Sequence, residues 1–433
     1  MLLVRLDDPT PRARFAVDHL LGRMTGWPVH FAASAEEFRS SELPKVRYGS
    51  AGPEDADALT VHATGALGLQ HVLPAEPEVG TEEGLPVLYP SSAGDDPFAG
   101  AFYLLARCEE WAPRVRDAHG RLPSAEHFVV RHGLEQLPMI DHWVMRLVKV
   151  LRKRHPGLPS PQARYRHVLS VDVDNGLMVL GRPSWKQAGA LMRTVLQGKV
   201  GEAALRLQVL LGRRNDPFDR YADLVELVRT GKVDRLIAFL LMRGEGAHDH
   251  AADPRHPMMN ERIKQMDGAF DIGLHPSYRS SEDPQVFRED HALLEKMTGH
   301  RVRIGRQHFL RWHVPDTLRL LQAAGFTEDH TLGFSDRPGF RCGTCTPFPW
   351  YDLEQERETE LMLWPFAVMD SALHDRMGLG PQEAMRIMCA VSDSVRAVNG
   401  TFVSVWHDRF LSGYAKWQGW PEAMQQVVEH ARS

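Results

Sequence analysis

The sequence predicts an α/β protein, with a small α/β domain over residues 1–155 followed by an α/β barrel over residues 160–433. Three observations lead there. From residue 164 onward, near-continuous apolar runs alternate with stretches of helical periodicity, the pattern of parallel β/α units. Those apolar runs end repeatedly in Asp, His or Arg. No glycine-rich dinucleotide fingerprint follows the first of them, which favours a barrel over an open nucleotide-binding sheet.

In the first domain, LLVRL (2–6), VHFAA (29–33), KVRYG (45–49) and LTVHA (59–63) read as short strands, and residues 13–24 carry apolar side chains at helical spacing. Residues 75–84, rich in Pro, Glu and Gly, read as a loop, and AGAFYLLARCEEW (99–111) as an amphipathic helix. No phosphate-binding glycine loop occurs here, so this half receives no chemistry. The basic run RLVKVLRKRH (146–155) reads as a solvated helix face leading into PGLP (156–159), the domain boundary.

In the second domain the strands are HVLSVDV (167–173), RLIAFLLM (235–242), FDIGLH (270–275), VRIG (302–305), LMLWPFAVMD (361–370) and TFVSVWH (401–407). Helices are expected over residues 221–230, 258–266, 287–297, 315–324 and 381–398, with Gly325 placed to end the fourth. This amounts to about seven strand-then-helix repeats.

Composition narrows the classes. The chain has 433 residues, 43% hydrophobic and 25% charged, the profile of a globular protein. A formal net charge of −5 argues against a nucleic-acid-binding surface. No apolar run approaches the roughly 18 residues of a membrane span. The start, MLLVRLDDPTPRARF, lacks the apolar core and small-residue cleavage site of a secretory signal, so a cytoplasmic location is expected. Of the four cysteines, Cys342 and Cys345 form CGTC; without a second pair or nearby histidines they read as loop thiols rather than a zinc or redox site.

The candidate chemistry lies at the strand ends, which a β/α barrel gathers at one mouth. Asp172 and Asp174 alternate, so both carboxylates face one way, where a shared cation or proton relieves their repulsion. One such Asp can ligate a metal while the other acts as base. His275 in GLHPSY is a candidate ligand, and His407 in SVWHD a proton donor with an intrinsic pKa near neutrality. Arg306 can hold an aspartate or an anionic substrate, and His308 follows two residues on. The stretch HDHAADPRH (248–256) reads as a solvated loop overhanging the same mouth. Tyr278, Trp312, Trp350, Tyr351 and Trp406 are expected to be mostly core, with stacking on sugar rings as their alternative use.

At these residues the sequence resembles the polysaccharide deacetylase superfamily, the family-four carbohydrate esterases and their relatives. Those proteins share a deformed (β/α)7 barrel and five short motifs in fixed order. SVDVDNG resembles the first motif, which implies Asp172 as general base and Asp174 as metal ligand. GLHPSYRS resembles the metal motif and implies His275 as ligand. GRQHFLRW resembles the arginine motif and implies Arg306 as the group that orients the base. TEDHTLGF resembles the fourth through Asp329, with Arg341 of GFRCGT as a further candidate, and FVSVWH the fifth, implying His407 as catalytic acid. The likeness runs over about residues 164–410. Further phrases, FYLLARCEEW and DAHGRLP in the first domain and PFAVMD in the second, resemble a bacterial subgroup in which such a barrel follows an uncharacterised α/β domain.

One position departs from the pattern. The family's second metal histidine would fall at Arg279, which leaves two protein ligands where catalytic zinc takes three. His308 is the candidate replacement, ahead of Ser277 or Ser280. The resemblance thus implies hydrolysis of an acetyl or related acyl group on a small-molecule or glycan substrate. It would use a divalent metal, with Zn²⁺ the best match to these donors. The alternative is a carbohydrate-binding or scaffolding barrel without catalysis, which need not retain metal.

Overall fold

The first strand, β1 (Leu2–Leu6), pairs in parallel with β2 (Val29–Phe31) and β3 (Lys45–Gly49), and β4 (Leu59–His62) extends the sheet beyond β3. The structure is a computed structural model and describes residues 1–50, 57–68, 71–111 and 115–432. Between β1 and β2 the helix Pro11–Val17 starts on Thr10, whose hydroxyl accepts from the Ala13 N–H, with Pro11 in the first turn. Residues 75–84, expected as loop, instead contribute to a hairpin of β5 (Val79–Glu82) and β6 (Leu85–Leu88). Its two turn residues, Glu83 and Gly84, have φ of 51° and 79°, the left-handed pair that matches hairpin twist.

The second half builds on β7 (Arg166–Val173) and β8 (Arg235–Leu241), buried on both faces as central parallel strands are. There follow β9 (Asp271–His275), β10 (Ile304–Gly305), β11 (Glu328–Asp329), β12 (Phe348–Asp352), β13 (Arg357–Leu363), β14 (Val368–Met369) and β15 (Thr401–His407). They lie in the order β12-β13-β11-β10-β9-β8-β7-β15-β14, parallel throughout except for β12 against β13.

Where the sequence predicts a deformed (β/α)7 barrel, the sheet is not closed by hydrogen-bonded strands: no ladder among the described residues joins β14 to β12 or β13. The segment expected as one strand over residues 361–370 splits into β13 and β14, which sit toward opposite ends of the sheet. Pro365, with no N–H to give a ladder, interrupts it. The chain itself crosses the gap: the N–H groups of Trp364, Phe366 and Ala367 donate in turn to the carbonyls of Asp329, Leu332 and Val403.

One hydrophobic cluster runs through both halves. The Tyr351 ring of β12 lies 5.1 Å from Phe15 and 5.0 Å from Phe102. Buried ion pairs cross the same junction: Arg12 with Glu356 at 2.5 Å, and Arg341 with Glu110, which Arg107 also holds. Two helices absent from the sequence-based reading, Ser184–Leu196 and Val200–Leu210, are inserted between β7 and β8.

Candidate functional site

The carboxyl ends of β7, β9, β10 and β15 meet at a cleft of about 640 Å³. Asp172 of β7 stands beside His407 in the β7–β15 register. Asp174, two residues on, turns the same way and enters the cleft with Asp172, His275, His308 and His407.

Three donor atoms face a common point. Asp174 Oδ1 lies 3.4 Å from His275 Nε2 and 3.6 Å from His308 Nε2. Asp174, His275 and His308 each offer one ligand atom within 4.8 Å of the others. The ring orientations are fixed from behind. His275 Nδ1 donates to the Arg306 carbonyl at 2.6 Å, and His308 Nδ1 donates to Asp249 Oδ1 at 3.0 Å. With each Nδ1 carrying the proton, both Nε2 lone pairs face Asp174. Asp174 Oδ1 is buried and accepts no hydrogen bond. An orphaned carboxylate oxygen beside two imidazole lone pairs fits a divalent cation, with three protein donors from one Asp and two His.

Electrostatics agree with that fit at Asp174 and His308 and oppose it at His275, where the two aspartates favour the protonated ring until a cation displaces the proton. Burial alone would raise the Asp174 pKa, but His275, His407 and His308 outweigh it and hold the carboxyl well below its usual range. Burial lowers His308 below the usual histidine value against the pull of Asp249, which favours the neutral ring a ligand needs. For His275, burial is outweighed by Asp172 and Asp174, and its pKa rises.

Around this trio stand the other groups. Arg306, fully buried, donates from Nη1 to Asp172 Oδ1 at 2.7 Å and from Nη2 to the Ser170 hydroxyl at 2.9 Å, with its Cζ 4.3 Å from the Phe239 ring centroid. That leaves Asp172 Oδ2 toward the cleft, 3.9 Å from His275 Nε2. His407 donates from Nδ1 to Asp370 Oδ1 at 2.6 Å, and its backbone N–H donates to Asp370 Oδ2 at 2.7 Å. Burial and nearby Arg409 would lower the His407 pKa, but Asp370 and Asp174 together outweigh them, so the ring holds its proton more tightly than usual. Its Nε2 lies 3.8 Å from Asp174 Oδ2.

Two residues named from the sequence stand apart from this cluster. Asp329 is fully buried outside the cleft lining and accepts from the N–H and hydroxyl of Thr331; burial raises its pKa to about 6. Arg341 pairs with Glu110 at 2.8 Å. Arg279 points outward, 76% exposed and 3.9 Å from Asp283, so nothing at that position reaches the trio. The Ser277 hydroxyl is taken up by Asp290 at 2.6 Å. Trp312, Trp350, Tyr351 and Trp406 are core, and Tyr278 is half-buried.

Several groups were not singled out from the sequence. The stretch expected as a solvated loop is a wall of the site: His248 and His250 line the cleft, and Asp249 anchors His308. Arg409 donates to Asp174 Oδ2 at 3.0 Å, and Trp417 lines the cleft beside it. The first half, given no chemistry, also contributes. Arg121 lines the cleft and donates to the Phe309 carbonyl at 2.9 Å, and His119 Nδ1 lies 3.0 Å from the Tyr278 hydroxyl. Of these, residues 248–250 belong to the His-rich stretch that the sequence places over the mouth, and Asp370 leaves a further signal, a carboxylate closing an apolar run as at the other strand ends.

Residues 2–156 match a family described as being of unknown function, DUF7033. No curated protein matches the chain. Among solved structures, the chain is similar to a "probable polysaccharide deacetylase" of Pseudomonas aeruginosa PAO1, at 14% identity and a TM-score of 0.40, covering 74% of this chain and 92% of that one. It is also similar to a polysaccharide deacetylase of Bacillus cereus, at 10% identity and a TM-score of 0.30, covering 62% and 86%. Likeness at this depth assigns no role to any side chain, and the chemistry of this site rests on its own geometry.

Proposed function

We propose that the chain is a metal-dependent hydrolase that removes an acetyl or related acyl group from a sugar or glycan. One observation carries the reading: the unpartnered Asp174 Oδ1 and the Nε2 atoms of His275 and His308 within a 4.8 Å cluster. The substrate class comes from the motif resemblance read in the sequence. When bound there, a divalent ion supplies Lewis acidity toward water and the scissile carbonyl. Asp172 accepts the proton of the attacking water on Oδ2, because Arg306 occupies Oδ1 and fixes the carboxylate plane. His407, anchored on Asp370, gives its Nε2 proton to the departing amine or alcohol as the C–N or C–O bond breaks. Acetate and the free sugar leave.

The test is metal analysis of the purified chain together with acetate release from a panel of acetylated amino sugars. Near-stoichiometric metal and acetate release are expected. Asp172→Asn should keep the metal and lose on the order of 10²–10⁴-fold in turnover, the usual worth of a general base. Asp174→Asn should lose both. Equal metal loss in the two variants would overturn the division of roles, and a wild-type chain that retains no metal would overturn the reading.

A further inference from the structure

We propose that the helical hairpin formed by Ser184–Leu196 and Val200–Leu210 is a peripheral anchor that docks on an anionic lipid surface. The proposal is independent of the catalytic reading.

An amphipathic helix in a globular protein normally turns its apolar stripe to the core. This hairpin turns apolar stripes outward. Trp185, Met192 and Leu196 recur at spacings of seven and four residues along the first helix, which places them on one face. Val200, Leu207 and Leu211 repeat the same spacing along the second and just past its end. Trp185 is 72% exposed, Leu196 79% and Val200 70%, so large apolar side chains lie open to solvent along both helices. The inward side of the hairpin is slight: Leu205 and Val209 pack on Val179, and Thr194 is the buried residue of the first helix. The hairpin is nonetheless firmly rooted. Asp216, just beyond it, accepts from the N–H groups of Met178, Val179 and Leu180, just before it.

Charge selects the occupant. Residues 184–214 hold six Lys or Arg and one Glu, a local excess of positive charge in a chain whose formal net charge is −5. Arg206 is taken up by Glu202, and Lys186 donates to the Gly244 carbonyl. Arg193, Lys199, Arg213 and Arg214 are exposed and make no ion pair among the described residues. Exposed apolar side chains set among uncommitted cations fit a bilayer interface with anionic headgroups. A second copy fits poorly, because a symmetric contact would press two cationic patches together. No helix of the described residues is long and apolar enough to cross a membrane, so the hairpin would lie along the surface.

The position suits that use. The hairpin leaves the chain ten residues after Asp174, at the carboxyl end of β7, and packs against Tyr414, two residues before the cleft-lining Lys416. Docking would therefore bring the mouth of the cleft beside the lipid surface.

The test is co-sedimentation of the full chain with vesicles of phosphatidylcholine alone and of phosphatidylcholine with about 30 mol % phosphatidylglycerol. Binding to the anionic vesicles at least about tenfold above the neutral ones is expected, falling as salt is raised. The pair Arg193→Gln and Lys199→Gln should weaken it about 25-fold, at about fivefold per charge near the surface. The pair Trp185→Ser and Leu196→Ser should weaken it at least about tenfold with an unchanged circular dichroism spectrum. Equal binding to both vesicle types would overturn the proposal, as would wild-type binding in either variant. Self-association of the chain that these substitutions abolish would also overturn it and give the face to a second copy.

Discussion

His308 reaches Asp174 because its other ring nitrogen is held by Asp249, whose Oδ1 also accepts from the Tyr278 N–H at 3.0 Å. A carboxylate can only accept, so it keeps the proton on His308 Nδ1 and the lone pair on Nε2, facing the point shared with His275. Asp249→Ala removes that acceptor, so nothing holds the proton on Nδ1 and the opposite tautomer, with Nε2 protonated toward the cation, becomes accessible. Metal affinity, measured by chelator competition, is expected to fall about 10–100-fold, as such supporting contacts commonly give. Unchanged affinity would show that Asp249 does not set the tautomer. Neither Asp249 nor Arg409 was legible in the sequence, since a lone carboxylate or guanidinium in a loop carries no signal until its partner is placed. Asp172, Asp174, His275 and His407 were legible because each closes a run of apolar strand residues. His308 was named beside Arg306 at a strand end, but its role as ligand entered only through the deficit left at Arg279, which the structure turns to solvent.

At the scale of single elements, β9 owes its place to Gly273. A Cβ there would meet the Phe239 ring at 2.6 Å and the Ile304 carbonyl oxygen at 3.1 Å. Phe239 has little room to give, being fully buried between the Arg306 guanidinium at 4.3 Å and the His330 ring at 5.3 Å. Gly273→Ala should therefore push Phe239 against Arg306 and disturb its hold on Asp172. A stability loss of about 1–3 kcal/mol, the usual range for overpacking, and a fall in turnover with metal content retained are the expected outcomes. Urea unfolding and acetate release read them, and a variant with wild-type stability and turnover would show that the strands part easily. Long elements such as β7, β8 and β15 were legible from their continuous apolar runs. The two-residue strands β10 and β11 are too short for any periodicity to register, although VRIG located the first of them. The hairpin over residues 184–210 lies between β7 and β8 in a stretch to which the sequence reading assigned no element.

At the scale of the whole molecule, the two halves close over a buried histidine. His19 lies in the first half, its ring 6.2 Å from Phe15 in a near-parallel stack and 6.2 Å from Phe348 of β12. Neither ring nitrogen has a hydrogen-bond partner. Burial, helped by nearby Arg23, lowers its pKa from 6.5 to about 3. Between those values the unfolded chain binds a proton that the folded chain refuses. Stability from this site is therefore complete above pH 6.5 and is lost as pH falls toward 3, at about 1.4 kcal/mol per pH unit. His167 and His330, lowered by burial to about 4, act with the same sign. Asp329, raised to about 6, acts with the opposite sign, since its protonated form is favoured by folding. All three are retained when only His19 is replaced, so their contributions cancel between wild type and a His19→Leu variant. Unfolding free energies of the two chains, measured in urea at steps from pH 7 to pH 4.5, should diverge as pH falls. The variant should gain about 2 kcal/mol relative to its own pH 7 offset by pH 5. Parallel curves would mean that His19 is protonated or hydrated in the folded chain, and that the two halves are not sealed at Phe348.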